Sequence, residues 1–357
     1  MATMKDIANL AGVSVATVSY VLNKTRRVSP QVEARVLRVV GQTNYQPNTI
    51  AKSLRLQKTN VIGVLVEDIR GMPVPEIVDG INEYLAECRY QVLLSNLRLL
   101  DKLLNQYDQF NKHIESINQA MRLMENARVE GIIYVAMHDR RIGGIRRPVH
   151  IPMVYAYATA DEADALCVTY DNERSAYEIT RRLIQASHRR IALVAGHSAS
   201  ADARLRLDGF MAAMDDAGLP VPAEYIRWGD WEYQSGVEQC DQLLAMSLRP
   251  TAVFAMNDVM ATGCYRSANN HGLSIPADMS IVGFDNREFA KLVNPPLTTV
   301  ELPNRQIGLH AARLLMRRVE RQEIPAPALV LPCRVIDRES VCSAEMIHPG
   351  SQRSDKR

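Results

Sequence analysis

Long hydrophobic runs are missing from this 357-residue chain. No apolar stretch approaches the roughly 18 residues of a membrane-spanning helix, so such a span is not expected. The N-terminus also lacks the apolar core of a signal peptide, and a cytoplasmic protein with no membrane partner is the expectation. Metal-binding spacings are absent too. Cys88, Cys167, Cys240, Cys264, Cys333 and Cys342 form no C-x-x-C pair, and the eight histidines are dispersed. Reduced, mostly buried thiols follow, with no metal site. Neither a G-x-S-x-G elbow nor a phosphate-binding loop occurs, so no catalytic residue, cofactor or enzymatic activity is expected.

What is present is unevenly distributed. The net charge of the whole is only +2. Residues 1–60 nevertheless hold nine Lys or Arg against Asp6 and Glu33, a local charge of +7, while the remainder carries −5. A basic head on an acidic body has the electrostatic footprint of a nucleic-acid-binding module, because Lys and Arg neutralise phosphates and release counterions. The head also has a readable helical grammar. Thr3 can cap a helix from Met4 to Ala11, with Asp6 closing a capping box. Gly12 permits a left-handed turn, and Ser14 can cap a second helix with Val18, Val21 and Leu22 on one face. Ser29-Pro30 opens a third helix to about Asn44, with Val32, Val36, Leu37, Val39 and Val40 as its packing face. Two short helices around a tight glycine turn make a helix-turn-helix.

The motifs Met4-Lys5-Asp6-Ile7-Ala8, Ala11-Gly12-Val13-Ser14, Thr17-Val18-Ser19, Leu22-Asn23, Tyr45-Gln46-Pro47-Asn48 and Ala51-Lys52-Ser53-Leu54 resemble the DNA-binding head of the lactose repressor and galactose repressor family. The resemblance extends to about Val341. It implies double-stranded operator DNA as a partner, read by Thr3, Ser14, Val15, Ala16, Thr17, Ser19, Tyr20 and Asn23 of the head. It also implies a hinge helix in which Asn48, Ala51 and Leu54 meet DNA, with Leu54 as an apolar wedge in the minor groove. Taken alone, residues 47–56 would make a helix of only about two turns, which is marginal because nucleation is costly.

From Val61 onward, strand-like and helix-like stretches alternate. Strands are expected at 61–67, 91–95, 131–135, 153–156, 166–169, 191–195, 252–255 and 280–284. Helices are expected at 76–87, 175–186, 203–217, 234–245, 259–271 and 305–321. Strands spaced by helices argue for parallel sheets covered on both faces. The fold class is therefore α/β: an all-α helix-turn-helix head on a core with enough strands for two parallel sheets. The resemblance implies that the core is a two-lobed, periplasmic-binding-protein-like body closing over a small ligand. Its parts would be the head at 1–46, a hinge and linker at 47–60, the effector-binding and dimerisation body at 61–341, and a polar tail at 342–357, expected to be disordered.

Polar residues just after strands or opening helices are candidates for the ligand. Arg206, Trp231, Asn257 and Asp285 match effector-contacting positions of the resembled family. Tyr157 joins them by its place after the 153–156 strand. An Arg, an acid, an amide and a flat indole together suit a sugar. Asp258 and Arg204 read more simply as a helix cap and a surface charge.

Three features depart from the resembled pattern. Tyr20 stands where the lactose repressor carries a guanine-reading Arg, and a phenol cannot make that bidentate contact. Tyr157 stands where the lactose repressor has an acid, which argues against a β-galactoside-type effector. Apolar residues recur at Leu100, Leu103, Tyr107, Phe110, Ile114, Ile117, Met121 and Met124, predicting one amphipathic helix of about 25 residues, in a segment that the family keeps shorter. It could lie on the first lobe, whole or with a single break, or add a seam to a dimer. The expected function is a dimeric transcription regulator, by default a repressor, controlled by a small metabolite, with a sugar favoured. The tail shows no heptads, so a homodimer is expected. An exported sugar receptor, with the same body, is disfavoured by the missing signal peptide.

Overall fold

The computed structural model describes residues 2–24, 26–43, 45, 58–103, 107–324 and 326–346. The chain divides into two compact units between Thr59 and Asn60. The hinge positions Asn48, Ala51 and Leu54 and tail residues 347–357 lie outside the described residues.

The first unit contains α1 (Met4–Ala11), α2 (Val15–Asn23) and α3 (Pro30–Thr43). Thr3 and Asp6 form the expected reciprocal capping box, and Gly12 ends α1 at φ +61°, a region that only glycine enters without strain. Ser14 caps α2 by accepting the Thr17 N–H at 3.1 Å. Ile7, Ala8, Ala11, Val18, Val21, Val36 and Val39 form one small core. Leu37 is half exposed and does not belong to the packing face expected of α3. It directly follows the buried Val36, and a step of 100° per residue turns it away from the core.

The second unit has two sheets. Its first lobe joins β1 (Val61–Val66), β2 (Gln91–Asn96), β3 (Gly131–Val135), β5 (Met153–Ala156), β7 (Leu166–Tyr170) and β13 (Ala328–Leu331) in the order β13-β7-β5-β3-β1-β2, every pair parallel. Its second lobe joins β8 (Ile191–Ala195), β9 (Ile226–Trp228), β10 (Ala252–Ala255) and β11 (Ser280–Val282) as β11-β10-β8-β9, also parallel. The short strands β4 (Arg141–Ile142) and β6 (Thr159–Ala160) pair beside the first lobe. Central strands are buried along their whole length, which is why their sequences are continuous apolar runs.

Helices cover these sheets: α4 (Val74–Glu87) on the first lobe, and α7 (Asn172–Gln185), α8 (Ala201–Asp216), α9 (Tyr233–Leu244) and α10 (Asp258–Asn270) on the second. The chain passes between lobes three times. It crosses after β7, again through β12 (Thr299–Glu301) into α11 (Asn304–Val319), and again from β13 to β14 (Arg334–Ile336), which pairs antiparallel with β12. Helix α11 returns to the first lobe, where Gly308 lets its backbone ride on α4. A Cβ there would lie 2.0 Å from the Ile77 carbonyl oxygen.

The segment after β2 is not one long helix. It contains a single turn, α5 (Leu100–Leu103), a 3₁₀ stretch over Tyr107–His113, and α6 (Ile114–Asn126). Asp108 and Asn111 are weak helix formers, and a 3₁₀ turn repeats every three residues, so the described part of the apolar stripe does not run along one straight helix. Leu103, Phe110, Ile117, Met121 and Met124 are all buried in the core of their own lobe. These five residues are satisfied within their own lobe.

Candidate functional site

Between the carboxyl ends of the two sheets lies a cavity of about 300 Å³. Arg70, Met72, Leu100, His138 and Tyr157 line it from the first lobe, and Asp202, Arg206, Trp231, Asn257 and Asp285 from the second. This is the crevice where parallel α/β sheets place ligands. The structure thus brings together all five residues singled out from the sequence for an effector.

Arg206, on α8, is the centre of the polar network and only 3% exposed. Its Nε donates to Asn172 Oδ1 at 2.9 Å, Nη2 to the Tyr170 hydroxyl at 3.0 Å, and Nη1 to the Met256 carbonyl. Nη1 also lies 3.7 Å from Asp285 Oδ1. The guanidinium stacks on Phe284, 3.8 Å from the ring centroid. Burial opposes its charge, but Tyr170, Asp285 and Asp202 outweigh that and hold it protonated. Burial pushes the Asp285 carboxyl up to about 8, even against the pull of Arg206. His138 is held neutral, its pKa lowered to about 3 by burial and then by Arg140 and Arg206.

Three cavity residues occupy the left-handed region: Tyr157 at φ +61°, Trp231 at +77° and Asp285 at +112°. Non-glycine residues with positive φ cost on the order of 1–3 kcal/mol each and cluster where a site needs them. The Trp231 ring presses on Gly196, where a Cβ would come within 2.1 Å of the indole. Its Nε1 is a buried donor without a partner among the described residues. The Tyr157 hydroxyl lies 3.1 Å from that of Tyr170. Asn257 caps α10 through Oδ1, which accepts the Met260 N–H at 2.7 Å, and its amide donates to the Trp231 carbonyl at 2.9 Å. Part of its work is therefore to hold Trp231.

One expectation is corrected here. The helix-cap reading of Asp258 does not hold: Asn257 caps α10, and Asp258 is fully buried. It accepts the Arg287 N–H and the Thr299 hydroxyl, each at 2.6 Å, and so ties α10 to β12; burial raises its pKa to about 6. Arg204 is exposed, as expected. Sequence reasoning missed Asp139, Tyr170, Asn172 and Asp202. Asp139 and Asn172 stand just beyond strand ends, the same signal that singled out Asn257 and Asp285.

On the head, Thr3, Ser14, Val15 and Ala16 are exposed, and Val15 shows 43% of its surface. Thr17, Ser19, Tyr20 and Asn23 are half-buried. Asn23 Nδ2 donates to the Ser19 carbonyl at 2.9 Å, and the Arg26 guanidinium lies 5.9 Å from the Tyr20 ring centroid.

Comparison with known proteins agrees with this geometry. A family model described as bacterial regulatory proteins, lacI family, matches residues 3–48, and one described as periplasmic binding protein-like domain matches residues 180–341. Over 343 residues the chain is 34% identical to the HTH-type transcriptional repressor PurR of Vibrio cholerae serotype O1 (strain M66-2), covering 96% of this chain and 98% of that one. It is 31% identical to the ribose operon repressor of Haemophilus influenzae, covering 96% and 99%. A crystal structure of the lac repressor dimer bound to operator and the anti-inducer ONPF matches with a TM-score of 0.79 at 26% identity, covering 96% and 99%. The chain belongs to the lacI family of bacterial regulatory proteins. It is an effector-controlled, DNA-binding transcription repressor with a periplasmic-binding-protein-like core, and not an enzyme. Among the described residues no helix is long and apolar enough to cross a membrane.

Proposed function

We propose that this repressor acts in the cytoplasm as a homodimer on a pseudo-palindromic operator, and that a small polyol, a sugar of one ring, controls it. The head at 1–46 would read each half-site through Ser14, Val15, Ala16, Thr17, Ser19, Tyr20 and Asn23, with Thr3 on the backbone. Asn48, Ala51 and Leu54 of the 47–60 linker would meet the minor groove between half-sites. The body at 61–341 would carry effector and partner subunit, and the 342–357 tail would serve neither. Edge strand β2 exposes Leu93 and Leu94, 39% and 43% accessible, which suits pairing with a second copy.

The effector reading rests on one observation: the cavity joins a fixed cation, a mostly protonated acid and an indole within about 300 Å³. That volume is at the small end of ligand sites and fits a single ring. Arg206 and Trp231 Nε1 donate, Asp285 can donate or accept, and the Trp231 face covers the apolar side of a ring. Tyr157 gives a hydroxyl where a carboxylate would grip a galactoside. Thermal-shift measurement with pentoses, hexoses and nucleobases tests this. Stabilisation by one of the sugars is expected; stabilisation by nucleobases alone would replace the polyol with a planar heterocycle. Selection of random DNA duplexes by the purified protein should enrich a palindrome with half-sites about one helical turn apart.

A further inference from the structure

Two acids from opposite lobes meet where the chain first crosses between them. Asp139 lies in the loop after β3 of the first lobe, and Asp202 in the first turn of α8 of the second. Asn172 opens α7 directly after the crossing, and its amide donates to both carboxylates, at 3.3 Å to Asp139 Oδ2 and 2.8 Å to Asp202 Oδ1. Both side chains are buried, 8% and 4% exposed.

We propose that Asp139 and Asp202 form a proton-holding latch between the lobes, so that closure of the body takes up a proton. Neither residue need touch the effector chemically; they act as positioning residues, through Asn172, on Arg206. Carboxylates brought this close out of water cannot both ionise at low cost. The surrounding groups relieve them only in part. From the first lobe come Tyr157, the neutral His138, and Arg140, whose guanidinium is committed to buried Glu67. The crossing adds Thr169 and Tyr170, whose hydroxyl donates to Asp202 Oδ1 at 3.2 Å. The second lobe supplies Arg206, but Asp285 shares that cation. One guanidinium thus faces three acids. Burial raises the pKa of both latch residues, and the charge of Asp202 raises that of Asp139 further, to about 7.

The sign follows. Separating the lobes returns both carboxyls towards water, where they ionise in the ordinary acidic range. The closed state binds the proton more tightly, so acid favours closure and alkali favours opening.

The test uses the full chain and needs no ligand. Of its two tryptophans, Trp228 lies outside the cavity, and Trp228→Phe leaves Trp231 as the only indole. Its emission is followed against pH. A transition within about one unit of pH 7 is expected, and Asp139→Asn and Asp202→Asn should each abolish it or move its midpoint by a unit or more. A transition unchanged in both variants, but lost in Asp285→Asn, would overturn the latch. Should the latch variants fail to fold, infrared spectra of Asp285→Asn protein with carbon-13-labelled aspartate decide. A protonated aspartate carbonyl band persisting at neutral pH is expected, and its absence would overturn the proposal.

Discussion

Arg206 shows how much one side chain can organise. Four bonded or paired groups converge on its guanidinium, from the crossing, from the loop after β10 and from the loop after β11. Removing a buried, hydrogen-bonded cation leaves its partners uncompensated and typically costs about 3 kcal/mol or more. Arg206→Ala should therefore lower stability by about that amount in urea denaturation and abolish effector-induced thermal stabilisation; a variant that still responds to ligand would contradict its central role. On the head, Tyr20→Arg should shift the preferred operator base towards G, since Arg can grip guanine O6 and N7 and tyrosine cannot. An unchanged selected motif would remove Tyr20 from base reading. At this scale the sequence was legible where a polar residue ends an apolar strand, as with Asn257 and Asp285. It was mute where meaning depends on a partner far along the chain. Nothing near Asp139 announces Asp202, and nothing near Asp258 reveals that β12 will bury it.

Elements were easier to read than their ends or their neighbours. Strands β3, β5, β8 and β10 fall where continuous apolar runs of four or five residues place them, because a strand buried on both faces leaves no other pattern. Strands β9, β12, β13 and β14, which lie at a sheet edge or in a two-stranded pair, were not read from the sequence. The 100–126 segment misled for a physical reason: three-four spacing fits any path that keeps one face on a core, bent or straight. Its apolar residues stabilise their own lobe. Ile117, fully buried on α6, illustrates the distinction. Ile117→Ala should cost about 3 kcal/mol in urea denaturation while sedimentation shows an unchanged monomer–dimer equilibrium; weakened association at equal foldedness would restore the seam.

Across the whole molecule, the carboxyl end is tied to the second lobe by a neutral imidazole. His188 is fully buried, its ring nitrogens 3.0 Å from Thr251 Oγ1 and from Ser280 Oγ, with the Cys342 carbonyl at 3.1 Å. Burial lowers its pKa from 6.5 to about 4. A base with a depressed folded pKa contributes stability that is complete above 6.5 and is lost as pH falls through about 4. Urea midpoints should therefore decline across that window, and His188→Asn should flatten part of the slope; an equal slope in both proteins would assign the acid sensitivity elsewhere.

The three crossings also set an order of assembly during synthesis. Strands β8 to β11 of the second lobe are contiguous in the chain, whereas the first lobe must wait for α11 and for β13, which closes its sheet beside β7. A ribosome releases the chain from the amino end. The sheet of the lobe that begins first is therefore completed last, and until residue 331 emerges β7 is an open edge on the nascent protein.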